Sequence, residues 1–337
     1  MQAIIQKAIQ EIQEFQGTRG PTPWTPDQPH PQAFYTYDKA KQTWQAAEVK
    51  SPQEARSPSG INRLALFSWN IDFMLPYAKP RMDAALAYLD DLTSKLPPTT
   101  APVIYLQECI GEDLGTIAEK AWVREKFNLT DLDGSNWATS YGTTTLVDRR
   151  LDVTACFRVH YAKTSMERDA FFVDIALGSG ADGKPKTIRL CNSHLESLAY
   201  DPPCRPPQMK LAASFMKAEG IDGAIAAGDF NAIQPFDRNL HSDNGLKDAY
   251  LELGGVEDSD DGYTWGQQAA TTLREQFGCS RMDKVYFTGC IKLHRFERFG
   301  ADVQLSDPAQ VEHIVDLGFE KPWITDHMGV MAEVEIE

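Results

Sequence analysis

Carboxylates, amides and imidazoles recur in this chain at the ends of short apolar runs. LALFSW (64–69) ends in Asn70-Ile71-Asp72, and VIYL (103–106) ends in Gln107-Glu108. TIRLCN (187–192) runs into Ser193-His194-Leu195-Glu196-Ser197, and AIAA (224–227) into Gly228-Asp229-Phe230-Asn231. KVYF (284–287) is preceded by Arg281-Met282-Asp283, and VMAEVEI (330–336) by Thr325-Asp326-His327. Hard oxygen donors and imidazoles of this kind can hold a hard cation, activate water and donate hydrogen bonds to a charged oxygen. No thiolate cluster accompanies them, which suits Mg²⁺ or Mn²⁺ rather than Zn²⁺. Taken singly, most have an ordinary structural reading. Asn70 and Asp72 can cap a turn, Gly228-Asp229 can make a βα turn, and His194 can be a hydrogen-bonded structural histidine. Glu108 is harder to place so, because a carboxylate flush against four apolar residues is costly to desolvate without a cation or donor to receive it.

The apolar runs are the mounts. Those six, with VTACFRV (153–159) and FFVDIAL (171–177), read as strands, and a strand exit is where a side chain leaves the core and faces a cleft. Residues 82–92, 114–127 and 210–218 carry helical spacing. Fully apolar runs such as VIYL and AIAA fit strands covered on both faces, while FFVDIAL and TIRLCN can pair as a hairpin. The mixture predicts an α/β fold with mixed sheets in layers. Gly178-Ser179-Gly180-Ala181-Asp182-Gly183 matches the GxGxxG dinucleotide pattern, but Lys184-Pro185-Lys186 and a strand follow where a helix is needed. It reads as a hairpin turn.

Residues 18–60 differ from the rest. PTPWTPDQPHPQAF and SPQEARSPSG hold Pro too densely for helices or central strands. Ile5, Ala8, Ile12 and Phe15 ahead of them predict an amphipathic helix over 2–16, and Trp24, Phe34, Tyr35, Tyr37 and Trp44 predict packing onto a domain. The expected division is an N-terminal helix and Pro-rich appendage, 1–60, and a catalytic domain, 61–337.

Composition narrows the function. The 337 residues carry 33 Lys+Arg against 48 Asp+Glu, a formal net charge of −15. Non-specific polyanion binding rests on Lys and Arg, so a phosphate-ester substrate must be held by a local site with a metal ion. No apolar run reaches the roughly 18–20 residues of a membrane helix, so the expectation is no integral membrane segment. The N-terminus lacks the pattern of a secretory signal, which predicts the cell interior, nucleus or cytoplasm. Six scattered Cys without a CxxC pair fit free thiols. A monomer is the default.

The six end motifs together, in this order, resemble the endonuclease/exonuclease/phosphatase superfamily of metal-dependent phosphoesterases. WNID, HLES and Tyr263-Thr264-Trp265 ahead of RMDKVYF are most similar to its tyrosyl-DNA phosphodiesterase 2 branch. Two stretches depart from that branch: Leu198-Ala199-Tyr200-Asp201 replaces its Thr-Arg-Gly run, and Ala232-Ile233-Gln234-Pro235 replaces a basic and an acidic residue. The resemblance implies a four-layered α/β sandwich of two packed mixed sheets flanked by helices, like DNase I. It also implies a Mg²⁺-dependent phosphodiesterase acting on 5′-phosphotyrosyl-DNA adducts, a DNA repair reaction. The alternative is an enzyme of the same superfamily acting on inositol phosphates, sphingolipids or other nucleic acid. A non-catalytic scaffold is the third reading, and the competent residues at every motif count against it. On the family pattern Glu108, with Asn70 and Asp326, would bind the metal. Asp229 and Asn231 would position the attacking water, with a second metal-ligand role open to Asp229. His194 and His327 would donate to the phosphoryl oxygens, and Asp283 would hold His327. Arg168, Trp265 and Ser197 would line the substrate side.

Overall fold

The computed structural model describes residues 10, 12, 14, 15, 22–51, 53–180 and 183–337. The helix expected over 2–16 falls outside the described residues apart from Gln10, Ile12, Glu14 and Phe15. Two mixed β-sheets are packed face to face. One runs β1 (Pro29–Pro31), β8 (Asp152–His160), β9 (Asp169–Leu177), β10 (Lys186–Ser193), β11 (Gly223–Asp229), β13 (Asp283–Gly289) and β12 (Lys247–Asp248). The other runs β14 (Ile291–Phe299), β15 (Gly329–Ile336), β4 (Arg63–Asn70), β5 (Thr100–Ile110), β7 (Tyr141–Asp148), β6 (Phe127–Leu129), β2 (Phe34–Asp38) and β3 (Thr43–Ala47). β4 pairs β5 in parallel and β10 pairs β11 in parallel, while β9 and β10 form the expected antiparallel hairpin around the glycine-rich turn.

Side-chain alternation builds the layers. Leu64 and Leu66 of β4 join Val103 and Tyr105 of β5, Val173 and Ile175 of β9, and Ile225 and Val285 of β11 and β13 in the core between the sheets. Ala65, Phe67 and Trp69 face the other way, onto helix α1 (Ala78–Ser94), which buries Met82, Ala85, Leu86 and Leu89 at helical spacing. A further helix (Arg205–Met216) covers the outer face of the first sheet with Met209, Ala212, Ala213 and Met216. Helix, sheet, sheet and helix make four layers, the expected sandwich.

Two expectations change. The helix expected over 114–127 is broken: Gly111–Glu119 and Ala121–Lys126 are separate helices, with Lys120 extended between them. Phe127 is then taken into β6, where it is fully buried and pairs with Asp148, so sheet pairing overrides helical spacing. The strands also cross the boundary expected at residue 60. β1 pairs β8 at one sheet edge, and the β2–β3 hairpin extends the edge of the other through β6. Pro29 and Pro31 sit on an edge strand, where a missing backbone donor is tolerated.

Candidate active site

The alternation that fills the inter-sheet core also aims the polar ends. Counting from Leu64 and Leu66, the same face of β4 carries Ser68 and Asn70, and from Val103 and Tyr105 the same face of β5 carries Gln107. On β10, Ile188 and Leu190 lead to Asn192; on β11, Ile225 and Ala227 lead to Asp229; on β13, Phe287 and Val285 lead back to Asp283. The core between the sheets therefore turns polar at one end. Its last buried layer is a hydrogen-bonded amide chain, in which Gln107 Nε2 donates to Ser68 Oγ (3.1 Å) and Asn192 Oδ1 (2.9 Å), and Asn192 Nδ2 donates to the Thr144 carbonyl (2.9 Å). Gln107 and Asn192 support the residues above them.

All six motifs converge there. Asn70 Nδ2 donates to Asp229 Oδ2 at 3.0 Å and to Glu108 Oε1 at 3.2 Å, while its Oδ1 accepts the Asp72 backbone N–H at 2.9 Å. Asn70 Oδ1 thus faces the Asp72 turn, while its amide nitrogen bridges two carboxylates. Glu108 Oε2 accepts the Phe73 N–H at 3.1 Å. Asp229 Oδ1 accepts the Asn231 N–H at 2.8 Å, and Asn231 Nδ2 donates to the Leu195 carbonyl at 3.1 Å, tying the His194 loop to the Asp229 loop. Asp72, Glu108 and Asn231 hold φ of 57°, 58° and 47°. Left-handed backbone at non-glycine residues costs on the order of 1 kcal/mol or more each, and it persists here because both sheets fix the chain on either side.

The two imidazoles are held in defined orientations. Arg168 Nη1 lies 2.7 Å from His194 Nδ1, and its Nη2 donates to Ser197 Oγ at 3.0 Å. A guanidinium only donates, so His194 Nδ1 accepts and the ring proton sits on Nε2. That nitrogen is buried, has no hydrogen-bond partner, and lies 3.4 Å from Asp229 Oδ2 and 3.8 Å from Glu108 Oε1. His327 Nδ1 donates to Asp283 Oδ2 at 2.8 Å, and its Nε2 stands 3.7 Å from Asp229 Oδ2 and 3.8 Å from Asp326 Oδ1. Burial opposes charge on His327, but Asp283 and Asp229 outweigh it and raise its pKa well above the ordinary value. Burial likewise works against ionisation of Asp229, yet His327 and His194 hold its carboxyl well below the usual range. Desolvation raises Asp72, with Asp326 and Glu108 adding repulsion, and desolvation also raises Asp326.

Trp265 is anchored rather than free: its Nε1 donates to Asp326 Oδ2 at 2.7 Å, and its backbone bridges His327. Arg168 also stacks on Tyr141, 5.3 Å from the ring centroid, and Phe73 covers Tyr141 at 3.9 Å. Sequence reading missed two supports. Arg81, buried inside α1, donates to the carbonyls of Ile71, Asp72, Leu75, Pro76 and Ile324, pinning the loops that carry Asp72 and Asp326. Nothing in AKPRMDAAL distinguishes it from a solvent-facing arginine. Glu196, inside HLES, takes the Thr164 hydroxyl, the Ser165 N–H and Gln208 Nε2, and so fixes the loop ahead of Arg168.

A hard cation suits this donor set. Glu108, His194 and Asp229 bring ligand atoms within 4.8 Å of one another, as do Asp229, Asp283 and His327. Both imidazoles are committed as donors, which leaves the carboxylate oxygens to face a metal. Five acidic side chains (Asp72, Glu108, Asp229, Asp283 and Asp326) are gathered with Arg81, Arg168 and His327, and burial and mutual repulsion raise Asp72 and Asp326 while Asp229 is held ionised.

A family model, described as the endonuclease/exonuclease/phosphatase family, matches residues 12–327. The chain belongs to that family. It is a phosphoester hydrolase. Among solved structures, humanized TDP2 of D. rerio is 19% identical with a TM-score of 0.59, over 81% of this chain and 99% of that one. TDP2 from Caenorhabditis elegans is 22% identical with a TM-score of 0.57, over 81% and 74%. The Bacteroides thetaiotaomicron mannosyl-6-phosphatase Bt3783 is 14% identical with a TM-score of 0.55, over 80% and 99%. At these identities the likeness is one of fold. A search of curated protein sequences gave no match. Among the described residues no helix is long and apolar enough to cross a membrane.

Proposed function

We propose that this family member is a divalent-metal-dependent phosphodiesterase that releases tyrosine from 5′-phosphotyrosyl ends of DNA. The carrying observation is the convergence of the six motifs, with His194 Nε2 and His327 Nε2 standing 3.4 and 3.7 Å from Asp229 Oδ2 and Glu108 bridged to Asp229 by the Asn70 amide. The motif resemblance supports the substrate, as does the fold likeness to TDP2 structures, one of them a D. rerio TDP2 complexed with single strand DNA product.

Glu108 would hold Mg²⁺, or Mn²⁺ in its place, with Asn70 joining by its amide oxygen or through water and Asp326 through a bound water. When bound, the ion supplies positive charge beside a phosphoryl oxygen and acidifies water. Asp229, held ionised, accepts a hydrogen bond from the attacking water and aims it at phosphorus. Its depressed pKa makes it a weak base, so it orients the water more than it stores the proton. His194 Nε2–H and the His327 imidazolium donate to the phosphoryl oxygens, where charge gathers as the new P–O bond forms. The bond to the tyrosine oxygen then breaks with its electron pair, giving a 5′-phosphate and a tyrosinate, and the proton that the attacking water gives up to solvent balances the one the tyrosinate takes up there. A phenol of pKa about 10 leaves readily, which lightens the demand for a general acid. Arg168 and Asp283 keep the two rings in the required states, and Ser197 and Trp265 stand beside them.

Hydrolysis of a 5′-phosphotyrosyl oligonucleotide with Mg²⁺ tests this, beside EDTA and the Glu108→Ala and Asp229→Asn variants. Tyrosine release that needs metal and falls roughly 10²–10⁴-fold in either variant is expected. Turnover only of an abasic-site duplex or an inositol polyphosphate would replace the substrate, and inactivity of folded protein on all three would sink the reading.

A further inference from the structure

The two loops that present His194 and Asp229 also carry three large apolar side chains into solvent. Leu198 is 60% exposed, Phe236 38% and Ile233 36%. Each lies close in sequence to a site residue: Leu198 follows Ser197, and Ile233 lies two residues beyond Asn231, whose carbonyl accepts the Ile233 N–H at 2.9 Å. One buried ion pair gathers all three. Arg205 bonds Asp237 through Nε (2.9 Å) and Nη2 (2.7 Å), donates from Nη1 to the Leu198 carbonyl, and stacks under Phe236 at 5.3 Å. The same Asp237 carboxylate accepts the Ile233 N–H at 3.1 Å. Ala199, Pro202 and Pro235 are exposed on the same loops. Leu198 through its carbonyl, Ile233 through its N–H and Phe236 through its ring are thus held to one buried pair, on the two loops that leave the site.

The charges exclude a polyanion as the occupant. Residues 195–204 contain no Lys or Arg, and 230–241 contain only Arg238, which pairs with Asp258. Arg205 is buried and fully committed. A strand of phosphates crossing these loops would find no free cation, and would meet the exposed Asp201.

Resting on the phosphodiesterase reading above, we propose that the Leu198–Ile233–Phe236 rim is a subsite for an uncharged aromatic ester arm of the scissile phosphate. The nucleic-acid arm leaves the phosphate on another side. Covering about 60 Å² of apolar surface on such a rim corresponds to roughly tenfold in affinity.

Calorimetry with the full chain and Mg²⁺ tests the proposal, using thymidine 5′-benzylphosphonate against thymidine 5′-methylphosphonate, which resist hydrolysis. The benzyl compound should bind about tenfold tighter. The preference should fall below twofold in the triple variant Leu198→Ser, Ile233→Ser, Phe236→Ser, and to an intermediate value in Leu198→Ser alone. Equal binding of the two compounds by the wild type, or a preference that survives the triple variant with an unchanged melting profile, overturns the subsite. Because the readout is binding, failure to hydrolyse a thymidine phenyl phosphate would count against the phosphodiesterase reading and leave the subsite result to stand by itself.

Discussion

Replacing Asp283 by Asn is the sharpest test of how the imidazole pair works. Asp283 is wholly buried, its Oδ2 lies 2.8 Å from His327 Nδ1, and its other carboxylate oxygen has no partner. Asn keeps the shape and removes the charge. Two unit charges at that separation attract by about 6 kcal/mol at an effective dielectric near 20, and desolvation of both groups cancels a large part. A net loss of about 2.7–4 kcal/mol remains, the size expected when a preorganised donor is lost, or about 10²–10³-fold in kcat. The pH profile carries the finer test. Burial opposes the charge on His327 while Asp283 and Asp229 raise its pKa, so the active imidazolium exists below that raised value and is lost as pH rises through it. By linkage, the stability from this pair is fully present below the unfolded histidine pKa and disappears as pH rises through the folded one. In Asp283→Asn the alkaline limb of kcat should move to lower pH, because only Asp229 and Asp326, 3.7 and 3.8 Å from Nε2, remain to hold the proton. An alkaline limb that stays in place, whatever the rate, would refute the coupling of Asp283 to His327.

Arg168→Met should release His194 Nδ1 from its only guanidinium contact, lowering kcat roughly 10–100-fold, the usual cost of removing a group that orients an imidazole. Nitrogen-15 spectra of the His194 ring should show the Nε2–H tautomer in the wild type and a mixture in the variant, and an unchanged tautomer would sink the argument. Gly228→Ala tests the mount instead of the chemistry. Gly228 has φ 152°, and an added Cβ would stand 1.8 Å from the Ser193 carbonyl oxygen, where β10 and β11 exit side by side. About 3 kcal/mol of lost stability should follow, read as a lower Tm; a Tm within a degree of wild type would contradict it.

The sequence was most legible where period and chemistry coincided. Eight apolar runs became strands of the sheets they suggested, and the polar residues at their ends marked where the core opens. β7 (Tyr141–Asp148) went unread because YGTTTLVD is Thr-rich, and its Thr144 and Thr145 acquire meaning only through Asn192 across the sheets. β14 (Ile291–Phe299) hid for a different reason: IKLHRFERF is half exposed and interrupted by a register shift near Leu293 and Arg295. The Pro-rich segment looked unfit for sheets because Pro cannot serve a central strand, yet both sheets have edges and that is where it pairs. Arg81 was unreadable in principle, since an arginine on a helix declares its role only through the carbonyls that surround it.

The three left-handed residues show how the readable and unreadable parts depend on each other. Asp72 and Glu108 sit where the parallel pair β4–β5 ends, and a register shift between Leu106 and Cys109 lets β5 continue beside β7 while Glu108 turns out of the ladder. Without that bulge, alternation would send Glu108 to the face of Leu106, into the helix-side core that holds Trp69 and Ile104. The left-handed turn costs backbone energy and brings the carboxylate to Asn70 and His194 instead. Asn231 does the same on the facing sheet, turning back so that its N–H caps Asp229 and its amide holds Leu195. Motif residues at these positions are therefore selected twice, for the group they present and for tolerating the turn that presents it. Substituting Glu108 by a β-branched residue would injure both, which is why Ala is the cleaner probe of its chemistry.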